Sequence, residues 1–537
     1  MNLYQLLRRA ATLFPNSVAA VDDQRTVTYR TIDQRVRNFA SHLQLAGVAP
    51  GDRIAVLDVN SIEYIESYFA AAALGAILCP LNFRLSSAEL AAILADCQAE
   101  VLIANAQFAP IVQATINAGL QTGTTLSKVI WIGDPPASNG WSVEEVSYQQ
   151  AVAEAGEVMF PDIITASTVA QLYYTSGTTG RPKGVMLTHG NVYLHAVGAV
   201  AEFGLSESDR WGHIAPMFHL ADAWATFAIT LVGGCHVIVP KFQAEQTLAA
   251  IEQQRITITN LIPTMLNLMV KHPQIAAYSY SSLRYILSGG APIPPEVVRQ
   301  IIATFGCDYV QTYGMTETSP YLTLSLLKNH LKNLPQEDQL RFKSKTGRAF
   351  ITVELQVVRD NGNQVSNNEQ EVGEILVRGG TVTPGYWNRR EETNAAFQNG
   401  WLKTGDLAVI DEEGYVTIVD RKKDMIITGG ENVYSTEVEN ILYQHPEILE
   451  AAAFGLADDV FGETVAAAVV LLEPNKISAD EIIEFCRKYL SGYKIPRHIF
   501  FLPTLPRTGT GKISKRAIRE ELAATKPTTA DFNDEPQ

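Results

Sequence analysis

Short β-branched runs alternate with helix-like stretches through the first half of the chain, and this rhythm restricts the fold more than any other feature. RIAVLDVN (53–60) reads as a strand, SIEYIESYFAAAALGA (61–76) as a helix capped by Ser61, and AILCPLN (76–82) as extended chain again. SSAELAAILADC (86–97) predicts a helix with Ser86 or Ser87 as its cap, and EVLIAN (100–105) a further strand. Parallel strands need a crossover between them, so strand and helix in turn predict βαβ units and a mostly parallel sheet. WGHIAPM, CHVIVP, TLAAIEQQ, ITITNLI, PEVVRQIIATFG and YVQTYG repeat the pattern further along. The expected α/β architecture is two doubly wound lobes in tandem.

After about residue 345 the texture changes. KTGRAFITVELQVVRDNGNQV and EVGEILVRGGTVTPGYW are rich in β-branched residues and broken by Gly and Asp-Asn-Gly turns. They predict a small antiparallel sheet or barrel. Beyond DEEGYVTIVDRKKDMIITGG (411–430), STEVENILYQHP starts a helix with Thr436 and Glu439 at capping-box spacing. EAAAFGLADD, VAAAVVLLE and DEIIEFCRKYL complete a smaller α+β unit, and the polar KPTTADFNDEPQ reads as a frayed tail.

The chain has 537 residues and 46% of them are apolar, enough for three or four domains with buried cores. A net charge of −15 argues against broad nucleic-acid binding, although a local cationic site for a small polyanion remains compatible with it. Cys79, Cys97, Cys235, Cys307 and Cys486 are odd in number and far apart. They predict neither a disulfide framework nor a zinc site, but buried thiols in a cytoplasmic protein. The longest apolar run, Tyr68 to Cys79, is too short for a transmembrane helix, which needs about 20 residues. Contact with a membrane would be peripheral at most.

The segment most informative about chemistry is YYTSGTTGRPKG, from Tyr173 to Gly184. Gly177 and Gly180 let backbone N–H groups close around phosphate oxygens. Thr175, Ser176, Thr178 and Thr179 add hydroxyls, and Arg181 and Lys183 add positive charge. It is no Walker A loop, which needs Lys followed by Ser or Thr, whereas Lys183 precedes Gly184.

With this segment the sequence resembles the adenylate-forming superfamily: acyl- and aryl-CoA synthetases, peptide-synthetase adenylation domains and firefly luciferase. Further motifs follow in the family's order: SGGAPIP (288–294), QTYGMTET (311–318), GWLKTGD (400–406), DRKKDMIITGGENV (420–433) and PRTGTGK (506–512). The resemblance covers about residues 5 to 520 and is most like bacterial fatty-acid CoA ligases. It implies an N-terminal core at 1–420, a hinge at 421–424, a mobile C-terminal domain at 425–523 and a disordered tail at 524–537. A homodimer is compatible with it.

The resemblance also assigns roles. ATP would meet the phosphate loop together with Gly290, Ala291, Pro292, Tyr313, Gly314 and Thr316. Glu317 would hold Mg²⁺, helped by Thr175. Asp406 and Arg421 would contact the ribose, Lys423 would be the pivot, and Gly430 would face the pantetheine arm of coenzyme A. His219, in APMFHLADAW, would gate the acyl pocket, and Lys512 would stabilise the adenylating transition state. Nine Lys or Arg and no acid between Arg487 and Arg519 suit a surface that meets nucleotide phosphates. Ala221 and the small residues Ser288 to Ala291 suggest an open apolar slot for a medium- or long-chain fatty acid. An aryl-acid CoA ligase, a fatty acyl-AMP ligase serving a carrier protein, and a non-catalytic nucleotide-binding protein remain the alternatives.

One split phenotype follows. Lys512→Ala should lower adenylate formation by about 10²–10³ while sparing thioester formation from supplied acyl-AMP. Single-turnover assays of the two half-reactions check this, and an equal fall in both would reject the role given to Lys512.

Overall fold

The computed structural model describes residues 2–123, 125–134, 136, 143–153, 156, 158–176, 182–290, 293, 295–458, 460–473, 476–507, 513–522 and 528–529. Contacts divide the chain into two compact units, Met1–Leu355 with Val377–Leu402, and Gln356–Leu376 with Lys403–Gln537.

The first unit holds two mixed, mainly parallel sheets. One runs in the order Glu144–Ser147, Lys128–Ile132, Val101–Asn105, Arg53–Leu57, Ile77–Pro80, Val169–Ser176, Pro182–Thr188. Only its last pair is antiparallel. The helices predicted between its strands are present. Ser61 accepts the Tyr64 amide at 2.9 Å and starts the helix Ile62–Leu74, which Gly75 ends at φ 69°. Every residue of that helix is buried, and Glu63 and Glu66 on it are paired with Arg25 and Arg35. Ser86, not Ser87, caps Ser87–Cys97, and Glu89 completes the capping box.

The second sheet has nine strands: Arg348–Ala349, Tyr321–Leu324, Asp308–Gly314, Tyr285–Gly289, Ile258–Asn260, Arg210–His213, Cys235–Ile238, Val18–Val21 and Thr26–Thr28. The lobes are therefore not strictly in tandem. Val18–Val21 pairs in parallel with Cys235–Ile238, so the chain starts in the second lobe before it builds the first. Periodicity identifies a strand and leaves its distant partner open.

One buried side chain makes four hydrogen bonds from the first sheet to the second. Asn60 lies 4% exposed, just after Arg53–Leu57, a strand flanked on both sides by parallel neighbours. Its Nδ2 donates to the carbonyls of His213 (3.0 Å), Ala215 (2.9 Å) and Val239 (3.1 Å). Its Oδ1 accepts the Met217 amide at 2.8 Å. The loop after Arg210–His213 thus finds in Asn60 the partners that buried backbone groups require.

In the second unit, Trp401–Ile410 and Val416–Arg421 form an antiparallel pair that sets Asp406 opposite Arg421. The Asp360-Asn361-Gly362 turn closes as expected, with Gly362 at φ 82° and the Arg359 amide on the Asn363 carbonyl. The C-terminal sheet runs Glu431–Val433, Ile426–Thr428, Gly462–Leu471, His498–Phe501, Thr528–Thr529, with Ile448–Asp458 also paired to Gly462–Leu471. Ile426, Val438, Leu442, Val465 and Ile482 pack in its core. The tail expected from residue 524 contains a two-residue strand, and the rest of it lies outside the described residues. The expected capping box at Thr436 is absent. The helix Ser435–Leu442 begins one residue earlier, the Thr436 hydroxyl goes to the Val419 carbonyl, and Glu439 takes the Ala453 amide and Lys515. Among the described residues no helix is long and apolar enough to cross a membrane. All five cysteines are buried and none is disulfide-bonded.

Asp58, two residues before Asn60, accepts from Ser61 Oγ (2.5 Å), Asn105 Nδ2 (2.8 Å) and the Val59 amide (2.7 Å). Burial outweighs these bonds and pushes its carboxyl up to about 7. The folded state therefore binds this proton more tightly than the unfolded chain, whose Asp titrates near about 3.9. The stability contributed is fully present below about pH 4 and is lost as pH rises through about 7. Asp58→Asn keeps a neutral hydrogen-bonding group, so its stability relative to wild type should climb between about pH 4 and 7 and then level off. Urea denaturation across that range checks the prediction; parallel stability curves would refute it.

Candidate active site

Adjacent parallel strands end at one edge, and an open α/β sheet offers its binding crevice there, beside the strand where the order reverses. In the second sheet that strand is Arg210–His213, with parallel neighbours on both sides. The loop 214–219 follows it. Ser288–Gly290 and Tyr313–Glu317 follow at the same edge, because Tyr285–Gly289 and Asp308–Gly314 run parallel to it. Three separate motifs of the sequence are thereby gathered along one line. Gly314 is obligatory, since a Cβ there would lie 1.9 Å from the Pro320 carbonyl oxygen. Gly290 sits at φ 89°, where other residues are strained.

The phosphate segment meets this line through Tyr386. Thr175 stands opposite Lys183 in the antiparallel pair Val169–Ser176 and Pro182–Thr188. Lys183 Nζ lies 5.4 Å from the Tyr386 ring centre, and Tyr386 donates its hydroxyl to Glu317 Oε1 at 2.9 Å. Tyr386 is held in place because Val185 bridges to it, while Trp387 N donates to the Gly184 carbonyl at 2.8 Å. Thr383 N in turn donates to the Glu317 carbonyl at 2.7 Å. Thr175, Lys183, Tyr386 and Glu317 form one contiguous set. Tyr386 escapes sequence reasoning, since no spacing connects it with Glu317, 69 positions away.

His219 precedes the helix Leu220–Val232, its ring 4.3 Å from that of Phe218. Its carbonyl accepts the amides of Asp222 (3.1 Å) and Ala223 (3.0 Å). Asp222 is fully buried and both its oxygens are engaged, by Trp211 Nε1 at 3.1 Å and His213 Nδ1 at 2.5 Å. His213 Nε2 lies 2.9 Å from His236 Nδ1, and His236 Nε2 lies 3.0 Å from Thr230 Oγ1. Burial and neighbouring His213 hold His236 well below the ordinary histidine range, so it is neutral. Beside this network, Trp224 packs edge-on against Tyr321 (5.3 Å) and His195 (5.5 Å). Burial lowers His195 to about 3, so this cluster carries no charge at neutral pH.

The second unit holds the other set. Arg421 Nε approaches Asp406 Oδ1 at 3.5 Å, and the Asp406 amide donates to Thr404 Oγ1 at 3.1 Å. Lys422 pairs with Asp360 (3.0 Å) and Glu374 (3.2 Å), and Lys423 follows it. Gly429 and Gly430, at φ 59° and 86°, form the two-residue turn between Ile426–Thr428 and Glu431–Val433. These glycines thus have a local reason to be there. The expected cationic face between 487 and 519 is partly offset. Arg487, Lys494, Arg507, Lys515 and Arg516 pair with Glu484, Glu437, Glu450, Glu439 and Glu520, all of which lie outside that stretch of sequence. Gly177, Thr178, Thr179, Gly180, Ala291, Pro292 and Lys512 lie outside the described residues, as does the side chain of Ser176.

Among the described residues no three His, Cys, Asp or Glu cluster as a metal cage. One carboxylate and one hydroxyl, Glu317 and Thr175, instead suit a cation that takes its remaining ligands from phosphate and water, as Mg²⁺ does.

Comparison with known proteins identifies the family. The family model for the AMP-binding enzyme matches residues 7–387, and that for the AMP-binding enzyme C-terminal domain matches residues 437–512. The long-chain-fatty-acid–CoA ligase FadD13 of Mycobacterium tuberculosis is 35% identical, over 98% of this chain and 99% of that protein. A feruloyl-CoA synthase of an Amycolatopsis species is 36% identical, over 96% and 98%. The solved structure of the o-succinylbenzoate coenzyme A synthetase of Bacillus subtilis with ATP and magnesium superimposes with a TM-score of 0.81. It is 31% identical and the match covers 95% of this chain and 98% of that one. With both family models matched in order on a mixed α/β fold, the chain belongs to the AMP-binding enzyme family.

Proposed function

We propose that the protein is an AMP-forming acid–thiol ligase that converts a carboxylic acid, ATP and coenzyme A into acyl-CoA, AMP and pyrophosphate. The observation that carries this reading is the contiguous set Thr175, Lys183, Tyr386 and Glu317, which joins the phosphate segment to the loop that follows Asp308–Gly314. The relatives reported above are named for CoA ligation, and one solved relative carries ATP and magnesium.

In the first step the acid's carboxylate oxygen attacks the α-phosphorus, forming the acyl–O–P bond and releasing pyrophosphate. Lys183 would offset phosphate charge near the loop, and Lys512 would stabilise the crowded transition state. Mg²⁺ held by Glu317 and Thr175 would neutralise charge on the phosphate oxygens. In the second step the thiolate of coenzyme A attacks the acyl carbon and AMP leaves. Asp406 and Arg421 would hold the ribose, and residues 421–424 would be the pivot, centred on Lys423, that exchanges the groups serving the two steps.

For the acid, the uncharged stretch around His219 and the small residues at 288–290 support a medium- or long-chain fatty acid. Asp222, whose oxygens are occupied by Trp211 and His213, leaves no carboxylate for a substrate ammonium, which disfavours amino acids. A second reading, an aryl acid, is favoured by the aromatic group of Trp224, Tyr321 and His195 just beyond Ala221, whose carbonyl Trp224 and Asn260 hold.

Two measurements test these proposals. If the acid is fatty, kcat/KM should rise severalfold per added pair of methylenes, since burial gains about 0.8 kcal/mol per CH₂. A panel from acetate to palmitate with coumarate and benzoate decides between the readings, and a clear aryl preference would replace the fatty acid. For the cation, Tyr386→Phe keeps the Glu317 carboxylate but removes its hydrogen-bond donor. The Mg²⁺ concentration for half-maximal pyrophosphate exchange should rise about tenfold, and further in Glu317→Gln. An unchanged Mg²⁺ dependence in Glu317→Gln would remove Glu317 from the metal site.

A further inference from the structure

Two tyrosine hydroxyls link the strand that enters the phosphate segment to the loop that carries His219. Tyr68, on the buried helix Ile62–Leu74, has its hydroxyl 3.0 Å from the Met217 carbonyl and 2.8 Å from the Tyr173 hydroxyl. A carbonyl can only accept, so the Tyr68 proton goes to Met217. The Tyr173 proton must then go to Tyr68, which makes the chain directional: Tyr173 to Tyr68 to Met217. Tyr68 is 2% exposed and Tyr173 4%, so water cannot replace either bond without first entering the core.

The ends of this chain matter. Tyr173 lies two residues before Thr175 on Val169–Ser176, and its neighbour Tyr174 is fixed separately by Asp96 at 2.8 Å. Met217 lies two residues before His219, and its amide is held at 2.8 Å by Asn60. The segment 213–217 is thus clamped by Asn60 on one side and by Asp222 through His213 on the other. The Met217 carbonyl is tied, through Tyr68, to the strand that leads into the phosphate segment, by two hydrogen bonds in a dry core.

We propose that Tyr68 and Tyr173 are positioning residues that couple nucleotide binding at the phosphate segment to acid binding beside His219. The inference rests on the ligase reading for where the two substrates bind. It adds a prediction that this reading does not make: the two sites share a coupling free energy that disappears when one hydroxyl is removed. Such coupling is reciprocal, so the nucleotide must gain from the acid the factor that the acid gains from the nucleotide.

The test uses the full chain and the acid that performs best in the panel. Acid affinity is measured by calorimetric titration with and without α,β-methylene-ATP and Mg²⁺, and analogue affinity with and without acid. For wild type we expect each affinity to rise by the same factor, about 5–50. In Tyr68→Phe and in Tyr173→Phe that factor should fall to within about twofold of one, and the double variant should be no worse than either single variant, because one chain is cut in each case. A purely structural role would weaken both binary affinities and leave their ratio unchanged, and that result in either folded variant would overturn the coupling. An active wild type with a factor of one would do the same. A wild type inert in acid-dependent pyrophosphate exchange would overturn the ligase reading and the coupling together.

Discussion

The side-chain amide of Asn60 is the contact on which the catalytic unit depends. The two sheets of the first unit have separate cores, one around Trp131, Leu102 and Leu94 and the other around Ile286, Leu266 and Tyr309. The lobes also pack on each other, with Phe227 against Tyr68 and Phe69. Asn60 adds direction to that packing, because its amide satisfies three carbonyls and one amide of the opposing lobe. Leaving such groups buried and unpaired costs about 1–3 kcal/mol each, which makes other arrangements of the loop unfavourable. The loop that carries His219 is consequently built against one lobe and covalently part of the other.

Buried polar groups do similar work around the segment 213–219. Asp222, His213, His236, Tyr68 and Tyr173 are almost wholly withdrawn from water. Each is paired, and together they hold that segment at several points. Fully satisfied buried networks specify one arrangement, whereas an apolar core of similar volume tolerates repacking. The set around Glu317 is organised differently. Glu317 is buried and takes the Tyr386 hydroxyl, and the half-buried Lys183 lies beside the Tyr386 ring.

The alternation of strands and helices, the cap at Ser61 and a cap at Ser86 or Ser87 were legible, since each depends on residues close in sequence. The motifs that end Tyr285–Gly289 and Asp308–Gly314 were found through the family resemblance, and the parallel strands bring them to one edge of the sheet. Misreadings arose where a distant partner decided the outcome. Thr436 looked like a cap until the Val419 carbonyl claimed its hydroxyl. In the basic stretch after Arg487, glutamates from other segments pair with Lys494, Arg507 and Lys515, which its own sequence does not record.

The sequence by itself determined the class of fold, because hydrophobic period and contiguous turn chemistry are local properties, and the family through the resemblance of its ordered motifs. Tertiary structure alone decided that Val18–Val21 belongs to the second sheet, that Tyr386 serves Glu317, and that Asp222 is spent on Trp211 and His213. It also decided that Asn60 and Tyr68 reach across the lobes. The physical reason is common to all of these. A hydrogen bond in a dry core depends on two groups meeting in space at about 3 Å, and nothing in the local pattern of either one records the identity of the other.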